Sequence, residues 1–126
     1  MKPINTGMGR RGAHYSPGVV HNGLLYISGQ LSIDPATGKV AEGGIAAETR
    51  QALKNLESVL SAAGAKKSDV IQCRVYTSNI EYWNEINAIY AEFFADHKPA
   101  RSVVPTTALH FGCLLEIEAI AAVENS

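Results

Sequence analysis

The fold is decided by the segment Cys113-Leu114-Leu115-Glu116-Ile117-Glu118-Ala119-Ile120-Ala121-Ala122-Val123, whose alternate side chains differ in chemistry. All the odd positions are apolar, which predicts a β-strand with one face covering the helices. The even positions carry Glu116 and Glu118 among apolar neighbours. A face that is half apolar and half acidic is poorly suited to free solvent. It fits better against another subunit, with a polar cleft at the seam.

A hairpin and one more strand are predicted upstream of this segment. Asn22-Gly23 supplies the two positive-φ residues of a type I′ turn, with apolar strand sequence on either side over residues 18–29. Asp34-Pro35-Ala36-Thr37-Gly38 indicates a turn. Alternation over residues 69–77 predicts a strand. The faces of this strand are predicted to be Ile71, Cys73 and Val75 on one side and Gln72, Arg74 and Tyr76 on the other.

Two helices are predicted from the spacing of apolar residues. The first covers residues 45–63, where apolar positions follow the 3.6-residue period, and it stops at Gly64. Ser78 and Glu81 predict a capping box for the second helix, which Pro99 ends. The second helix has a broad apolar stripe, which is typical of core. Its members are Tyr82, Trp83, Ile86, Ile89, Tyr90, Phe93 and Phe94.

The composition fits one ordinary globular domain. The chain has 126 residues, of which 46% are hydrophobic, and this excludes a disordered chain. The 11 basic and 12 acidic residues nearly cancel, which disfavours nucleic acid as a partner. Every apolar run is shorter than the roughly 20 residues that span a bilayer, so no membrane partner is expected. The N-terminus lacks an apolar segment behind its arginines, so we expect no secretory signal and a cytoplasmic location.

The order of the predicted elements indicates the fold class. Hairpin, helix, strand, helix, strand and strand predict an α+β layer with two helices on one face of a mixed sheet. Residues 1–12 are rich in Gly and Arg and are predicted to be a mobile lead, so residues 13–126 form the predicted single domain. Cys73 and Cys113 lie in apolar, strand-like runs, where we expect buried thiols rather than a disulfide.

Four segments of this sequence carry a resemblance to the Rid (reactive intermediate deaminase) family, also called the YjgF-like or RidA-like family. Each segment alone is a weak signal, but four in order with similar spacing are a strong one, and they cover nearly the whole chain beyond residue 12. The segments are Tyr15-Ser16 with Tyr26-Ile27-Ser28-Gly29-Gln30; Asp34-Pro35-Ala36-Thr37-Gly38; residues 83–94, WNEINAIYAEFF; and Pro99-Ala100-Arg101-Ser102 with Glu116-Ile117-Glu118-Ala119-Ile120-Ala121.

The resemblance implies a chorismate-mutase-like fold. It also implies a homotrimer whose sheets line a central barrel, with three active-site clefts between neighbouring subunits. One departure from the family pattern matters, because a RidA-type chain has Arg-Ser-Cys where this chain has Arg101-Ser102-Val103. If that position acts through its backbone, Val103 can still serve there. The cleft residues that the resemblance implies are Tyr15, Ser28, Gly29, Asn87, Arg101 and Glu116.

The implied reaction is hydrolytic deamination of a small enamine or imine that bears a carboxylate, such as 2-aminoacrylate, to a 2-oxo acid and ammonia. Arg101 is suited to hold the carboxylate through two parallel hydrogen bonds. Glu116 is the candidate acid/base, since burial in a cleft would raise its pKa. Besides Arg101, the candidate substrate-binding groups are Tyr15, Ser28, Gly29, Asn87 and Val103.

Each of these assignments has a simpler alternative. Arg101 could form an ion pair with Glu116 or Glu118, and Asn87 could be a solvated helix residue. Glu116 could be a solvated residue at a sheet edge. Tyr15 could close the cleft over the substrate or pack at an interface. These alternatives stay open at the level of the sequence.

No cofactor or metal is expected. The histidines His14, His21, His97 and His110 lack ligand spacing, and the chain has no glycine-rich phosphate loop. Two other functions remain as alternatives. One is a non-catalytic trimer that binds small carboxylates, and the other is an RNA-acting role like the endoribonuclease or translation-inhibitor activity attributed to some relatives.

Overall fold

The structure is a computed structural model, and it describes residues 1–7 and 12–124. The described residues form eight strands and two α-helices. In chain order they are β1 (Lys2–Ile4), β2 (Gly18–His21), β3 (Leu24–Leu31), β4 (Ile33–Asp34), β5 (Lys39–Val40), α1 (Gly44–Ala62), β6 (Val70–Thr77), α2 (Trp83–Phe94), β7 (Ala100–Pro105) and β8 (Leu115–Ala122).

Six of the strands form one mixed sheet in the order β1-β2-β3-β8-β6-β7. Only the pair β6–β7 is parallel among the described strands of this sheet, since α2 carries the chain back between them. Strands β4 and β5 form a separate ribbon around the predicted turn over residues 34–38. The predicted α+β class, with two helices on one face of a mixed sheet, is confirmed.

Strand β8 separates its two faces as its alternation predicts. The odd-numbered residues from Cys113 to Ala121 are buried, and α1 packs against this side of β8 and β3. Glu116, Glu118 and Ile120 on the other side are only half-buried, because no element of the described chain covers them. We call this uncovered side the open face. The same parity then decides which face of the sheet each candidate site residue occupies.

The predicted turn and first helix are also confirmed. Asn22 and Gly23 have φ values of 52° and 78°, as a type I′ hairpin turn requires. The first helix lies within one residue of its predicted bounds at each end. Cys73 and Cys113 are free and buried, as expected.

Three details of the second half differ from the sequence prediction. Ile71 is 46% exposed, because a register shift between Val70 and Gln72 turns Val70 inward in its place. The cap lies at Asn79 rather than Ser78 and belongs to a short 3-10 turn, Ile80–Tyr82, that leads into α2, since the Asn79 side chain accepts a hydrogen bond from the backbone N–H of Glu81 at 3.0 Å. Trp83 is 39% exposed and therefore is not a core residue, unlike Ile86, Tyr90 and Phe94 of the same stripe.

The first residues of the chain join the sheet. Strand β1 pairs with β2 and buries Ile4, so part of the predicted lead is hydrogen-bonded structure. Residues 8–11 lie outside the described residues, and the division into a lead and a domain at residue 12 stays a prediction. Neither helix of the described chain is long and apolar enough to cross a membrane.

Candidate functional site

The Arg101 side chain extends from edge strand β7 toward the helix side of the sheet. Arg101 pairs in register with Cys73, which is buried beneath the helices, so the two side chains share that face. Arg101 Nη1 donates a hydrogen bond of 2.9 Å to Asn87 Oδ1. Its guanidinium carbon lies 4.8 Å from the ring centre of Tyr90 and 5.4 Å from that of Trp83. Asn87 is therefore a partner of Arg101 and not simply a solvated helix residue.

Arg101 differs from the other arginines of the described chain in lacking a carboxylate partner. Arg50 pairs with Glu92 at 3.8 Å and Arg74 with Glu118 at 4.0 Å. No ion pair links Arg101 to Glu116 or Glu118 within the described chain. A guanidinium held by an amide and two rings, with no carboxylate of residues 1–7 and 12–124 paired to it, is suited to bind an anionic ligand.

Val103 lies on the same face as Arg101, two residues further along β7. It pairs with Val75, and its side chain packs partly against the core. The neighbouring Tyr90 hydroxyl is buried and, among the described residues, has no hydrogen-bond partner. Burial and the nearby Cys73 thiol raise the pKa of Tyr90, although the geometry of that contact falls short of a hydrogen bond.

Glu116 lies on the open face, where its carboxylate covers Gly29 of β3. A Cβ built on Gly29 would lie 2.5 Å from Glu116 Oε2, so only glycine permits this approach. Gly29 falls where the β3–β8 register shifts between Ile27 and Gln30. The bulge and the missing side chain together open a place for the carboxylate.

Burial raises the pKa of Glu116, and the Glu118 carboxylate raises it further, while His110 lowers it. A raised pKa keeps a carboxyl group in the range where it can both give and take a proton. Glu118 is engaged differently, because it accepts a hydrogen bond from the Tyr76 hydroxyl and pairs with Arg74. Of the two carboxylates, Glu116 is therefore the one available for chemistry.

Ser28 lies next to Gly29, and hydrogen bonds connect it to the backbone that follows Tyr15 and precedes β2. Ser28 Oγ donates to the carbonyl of Ser16 at 2.6 Å, and its N–H donates to the carbonyl of Pro17 at 2.9 Å. Tyr15, next to Ser16, is exposed and lines a cleft of about 450 Å³ with residues 3–5. The Ser28 hydroxyl is thus used in a structural hydrogen bond. The groups left at this point to bind a substrate are the backbone groups of Ser28 and Gly29.

A buried carboxylate that the sequence analysis missed fixes the start of β8. Glu48 on α1 is 6% exposed, and its Oε1 accepts from Ser32 Oγ at 2.6 Å and from Leu114 N–H at 2.9 Å. It therefore ties α1 and the end of β3 to the residue two positions before Glu116. Its position in the sequence offered a signal, since Glu48 falls in the apolar stripe of α1 between Ile45 and Ala52.

The predicted site residues therefore form two groups within one chain. We call Ser28, Gly29 and Glu116 the Glu116 half-site, and Asn87, Arg101 and Val103 the Arg101 half-site. Strand β6 separates β8 from β7, which puts their backbones roughly 10 Å apart at the usual strand spacing. The two half-sites also lie on opposite faces of the sheet, so Glu116 and Arg101 of one chain cannot hold the same small molecule.

No three His, Cys, Asp or Glu side chains in residues 1–7 and 12–124 come together as a metal site. The absence of a metal or cofactor in the reaction stays a prediction.

Comparisons with known proteins agree with the fold. A family model described as endoribonuclease L-PSP matches residues 10–123. A human 2-iminobutanoate/2-iminopropanoate deaminase is 40% identical over 107 residues, which cover 85% of this chain and 78% of that protein. The structure of the E. coli YjgF gene product superposes with a TM-score of 0.90 at 34% identity, covering 98% of this chain and 100% of the other. The structure of E. coli TdcF with bound serine superposes with a TM-score of 0.91 at 32% identity, covering 98% of this chain and 100% of the other.

Proposed function

The chain belongs to the endoribonuclease L-PSP family, which is the YjgF/RidA family, and from that premise we propose that it hydrolyses 2-imino acids and their enamine tautomers. The products are a 2-oxo acid and ammonia. The observation that carries the proposal is the Arg101 guanidinium, held by Asn87 without a carboxylate partner among the described residues. The human relative named as an imino-acid deaminase and the relative with bound serine support a small amino-acid-derived substrate.

In this proposal Arg101 holds the substrate carboxylate and Glu116 moves the protons. The enamine first tautomerises to the imine, and water then adds to the C=N carbon. Glu116 takes one proton from that water and gives it to the imine nitrogen, which forms the carbinolamine. It then moves the hydroxyl proton of the carbinolamine to the amino group, so that the C–N bond breaks, the carbonyl forms and ammonia leaves. The backbone at Gly29 lies beside the carboxylate of Glu116 and so borders the reacting atoms. The main contribution of the site is positioning, because an imine is intrinsically reactive.

We propose that the cleft forms between two copies of the chain in a homotrimer. The two half-sites of one chain face opposite sides of the sheet, so the Glu116 half-site of one copy must meet the Arg101 half-site of another. The open face also exposes Tyr26 and Val104 beside its carboxylates, and such a surface favours burial against a second sheet. Tyr15 then lies at the edge of the same cleft. A cytoplasmic location stays a prediction from the sequence.

The reaction is tested by measuring release of ammonia and 2-oxo acid from imines generated in situ by an amino-acid oxidase or a pyridoxal-dependent dehydratase. We expect the protein to accelerate hydrolysis over the buffer rate, and Glu116→Gln to abolish the acceleration. Binding of a 2-oxo acid without any acceleration would instead indicate a carboxylate-binding module. If the protein cleaves RNA and the Arg101→Ala variant still does so, the cleavage is a separate ribonuclease activity.

The assembly is tested by light scattering at micromolar concentration. We expect the mass of three chains of 13.5 kDa each. A stable monomer that still hydrolyses imines would contradict the shared cleft.

A further inference from the structure

An arginine that binds a carboxylate through two parallel hydrogen bonds must present its guanidinium in one plane. The side chain is long and flexible, so fixing that plane costs conformational entropy at the moment of binding. Groups that hold the plane beforehand reduce this cost and strengthen binding. In this chain the single acceptor on Asn87 is one group that holds Arg101.

Trp83, Asn87 and Tyr90 lie on one stripe of α2, at a spacing of four and then three residues. The guanidinium of Arg101 lies over both rings, and such contacts attract a cation to the ring face. Tyr90 is 6% exposed and packs against Phe94 at a ring distance of 4.8 Å, so its ring is a rigid platform. The hydrogen bond to Asn87 then fixes one edge of the guanidinium.

The exposure of Trp83 is not explained by packing. An indole in a core stripe is expected to be buried, yet this one is among the exposed large side chains of the described chain. Its ring lies beside the Arg101 guanidinium and is open to solvent. Its contact with the guanidinium gives a reason for a large ring at this position.

We propose that Trp83 and Tyr90 are positioning residues, which hold the Arg101 guanidinium in the plane from which it binds the substrate carboxylate. This inference rests on the proposed function, in which Arg101 anchors the carboxylate. Arg101 Nη1 is engaged in the hydrogen bond to Asn87, and the two rings restrict rotation of the guanidinium. The N–H donors on the remaining edge are then presented together to the incoming anion.

The test compares Trp83→Leu with Phe93→Leu, a matched control on the same helix. Phe93 lies under Lys67, with 4.0 Å from the ammonium nitrogen to the ring centre, whereas the rings under Arg101 in the described chain are those of Trp83 and Tyr90. Binding of 2-oxobutanoate is measured by titration calorimetry, and kcat and KM are measured with an imine generated in situ. We expect Trp83→Leu to weaken binding and raise KM by about 5- to 30-fold, with little change in kcat. Phe93→Leu should stay within about twofold on the same scale.

A conservative variant separates ring contact from packing. Trp83→Phe keeps a smaller ring face, so its Kd should fall between those of the wild type and Trp83→Leu. Equal losses in Trp83→Leu and Phe93→Leu would overturn the proposal, and so would Trp83→Leu with unchanged KM. For the buried ring, Tyr90→Leu should bind more weakly than Tyr90→Phe. If Tyr90→Leu does not fold, the series at the exposed Trp83 decides alone.

The outcomes also separate this inference from the proposed function. A wild type that binds 2-oxobutanoate but releases no ammonia contradicts the deaminase proposal, and the binding series then still decides the role of Trp83. A wild type that binds no carboxylate overturns the positioning role, since Arg101 would have nothing to hold.

Discussion

The two half-sites are held in place by different means. Glu116 is fixed by the backbone, through the register of β8, the bulge at Gly29 and the hydrogen bond from Leu114 to Glu48. Arg101 is fixed by side chains, through Asn87 and the two rings of α2. A backbone-held group depends on pairing along a whole strand, whereas a side-chain-held group depends on a few contacts between elements. The first should therefore resist substitution of its neighbours apart from Gly29, whose missing side chain makes room for the carboxylate, and the second should be sensitive to such substitution.

The largest expected effect comes from mixing two inactive chains. Arg101→Ala removes one half-site and Glu116→Ala the other, and each variant alone should be inactive. If each cleft takes one half from each of two copies, every trimer that contains both variants has one intact cleft of its three, so about one third of the wild-type rate should return in protein that carries both variants. Co-expression with two affinity tags, purification through both, and a deaminase assay measure this recovery. Absence of any recovery in the doubly purified protein would indicate that one chain supplies both halves.

Arg101→Lys tests the side-chain-held half with its charge retained. Lysine loses the planar two-point contact, so kcat/KM should fall by a factor that corresponds to about 1–3 kcal/mol, while the fold survives. Arg50→Lys, on a surface ion pair with Glu92, is the matched control and should leave the rate close to wild type. Steady-state kinetics and circular dichroism check both variants. Unchanged turnover in the Arg101 variant would remove Arg101 from the mechanism.

Gly29→Ala tests the backbone-held half. The added methyl would meet the Glu116 carboxylate at 2.5 Å, so the carboxylate must move and kcat should fall by about tenfold. In a Glu116→Gln background, where no acceleration is left to lose, the same change should leave the Kd for 2-oxobutanoate unchanged. Weaker binding of 2-oxobutanoate in that background would mean that Gly29 acts on the substrate and not through Glu116.

The raised pKa of Glu116 predicts a pH dependence of stability. A carboxyl group with a raised folded-state pKa stabilises the fold fully below its ordinary value of 4.5, and this contribution is lost as the pH rises through the raised value. The free energy of unfolding of Glu116→Gln should therefore increase relative to wild type as the pH rises through that window. Urea unfolding at several pH values measures the difference, with Glu85→Gln at an exposed position of α2 as control. A difference that stays constant with pH would show that Glu116 is not desolvated.

The smallest effect is expected at Val103. Valine and cysteine are close in volume, and water attack on an imine needs no sulfur nucleophile, so Val103→Cys should change kcat/KM by less than about threefold. The comparison uses the same imine for both proteins. An inactive wild type that cysteine rescues by orders of magnitude would defeat the deaminase proposal and favour the carboxylate-binding module.

The strand half of the molecule could be predicted well from the sequence, because alternation and turn chemistry are local signals. The buried and open faces of β8 and the turn at Asn22-Gly23 follow directly from residue order. Ile71 was placed on the wrong face because a bulge changes parity by one residue and leaves no local signal. The position of Glu48 depends on partners 16 and 66 residues away, which no periodicity reveals.

The Arg101 half-site was only partly visible in the sequence. Asn87 and Arg101 were singled out through family resemblance, which says nothing of their mutual distance. Trp83 was assigned to the core because helical spacing alone cannot show where a helix face passes the edge of a sheet. Its contact with Arg101 depends on how α2 lies against β7, which only the tertiary structure gives.

Because the two half-sites face opposite sides of the sheet, the total rate of the reaction should depend on the expression level in a particular way. If neither half can act without a neighbour, the rate per chain depends on the fraction of chains that are assembled. Below the assembly threshold, doubling the amount of protein would then more than double the total rate. Dilution would dissociate the copies and remove the activity while each chain stays folded. The concentration of the protein would then control how fast reactive imines are removed.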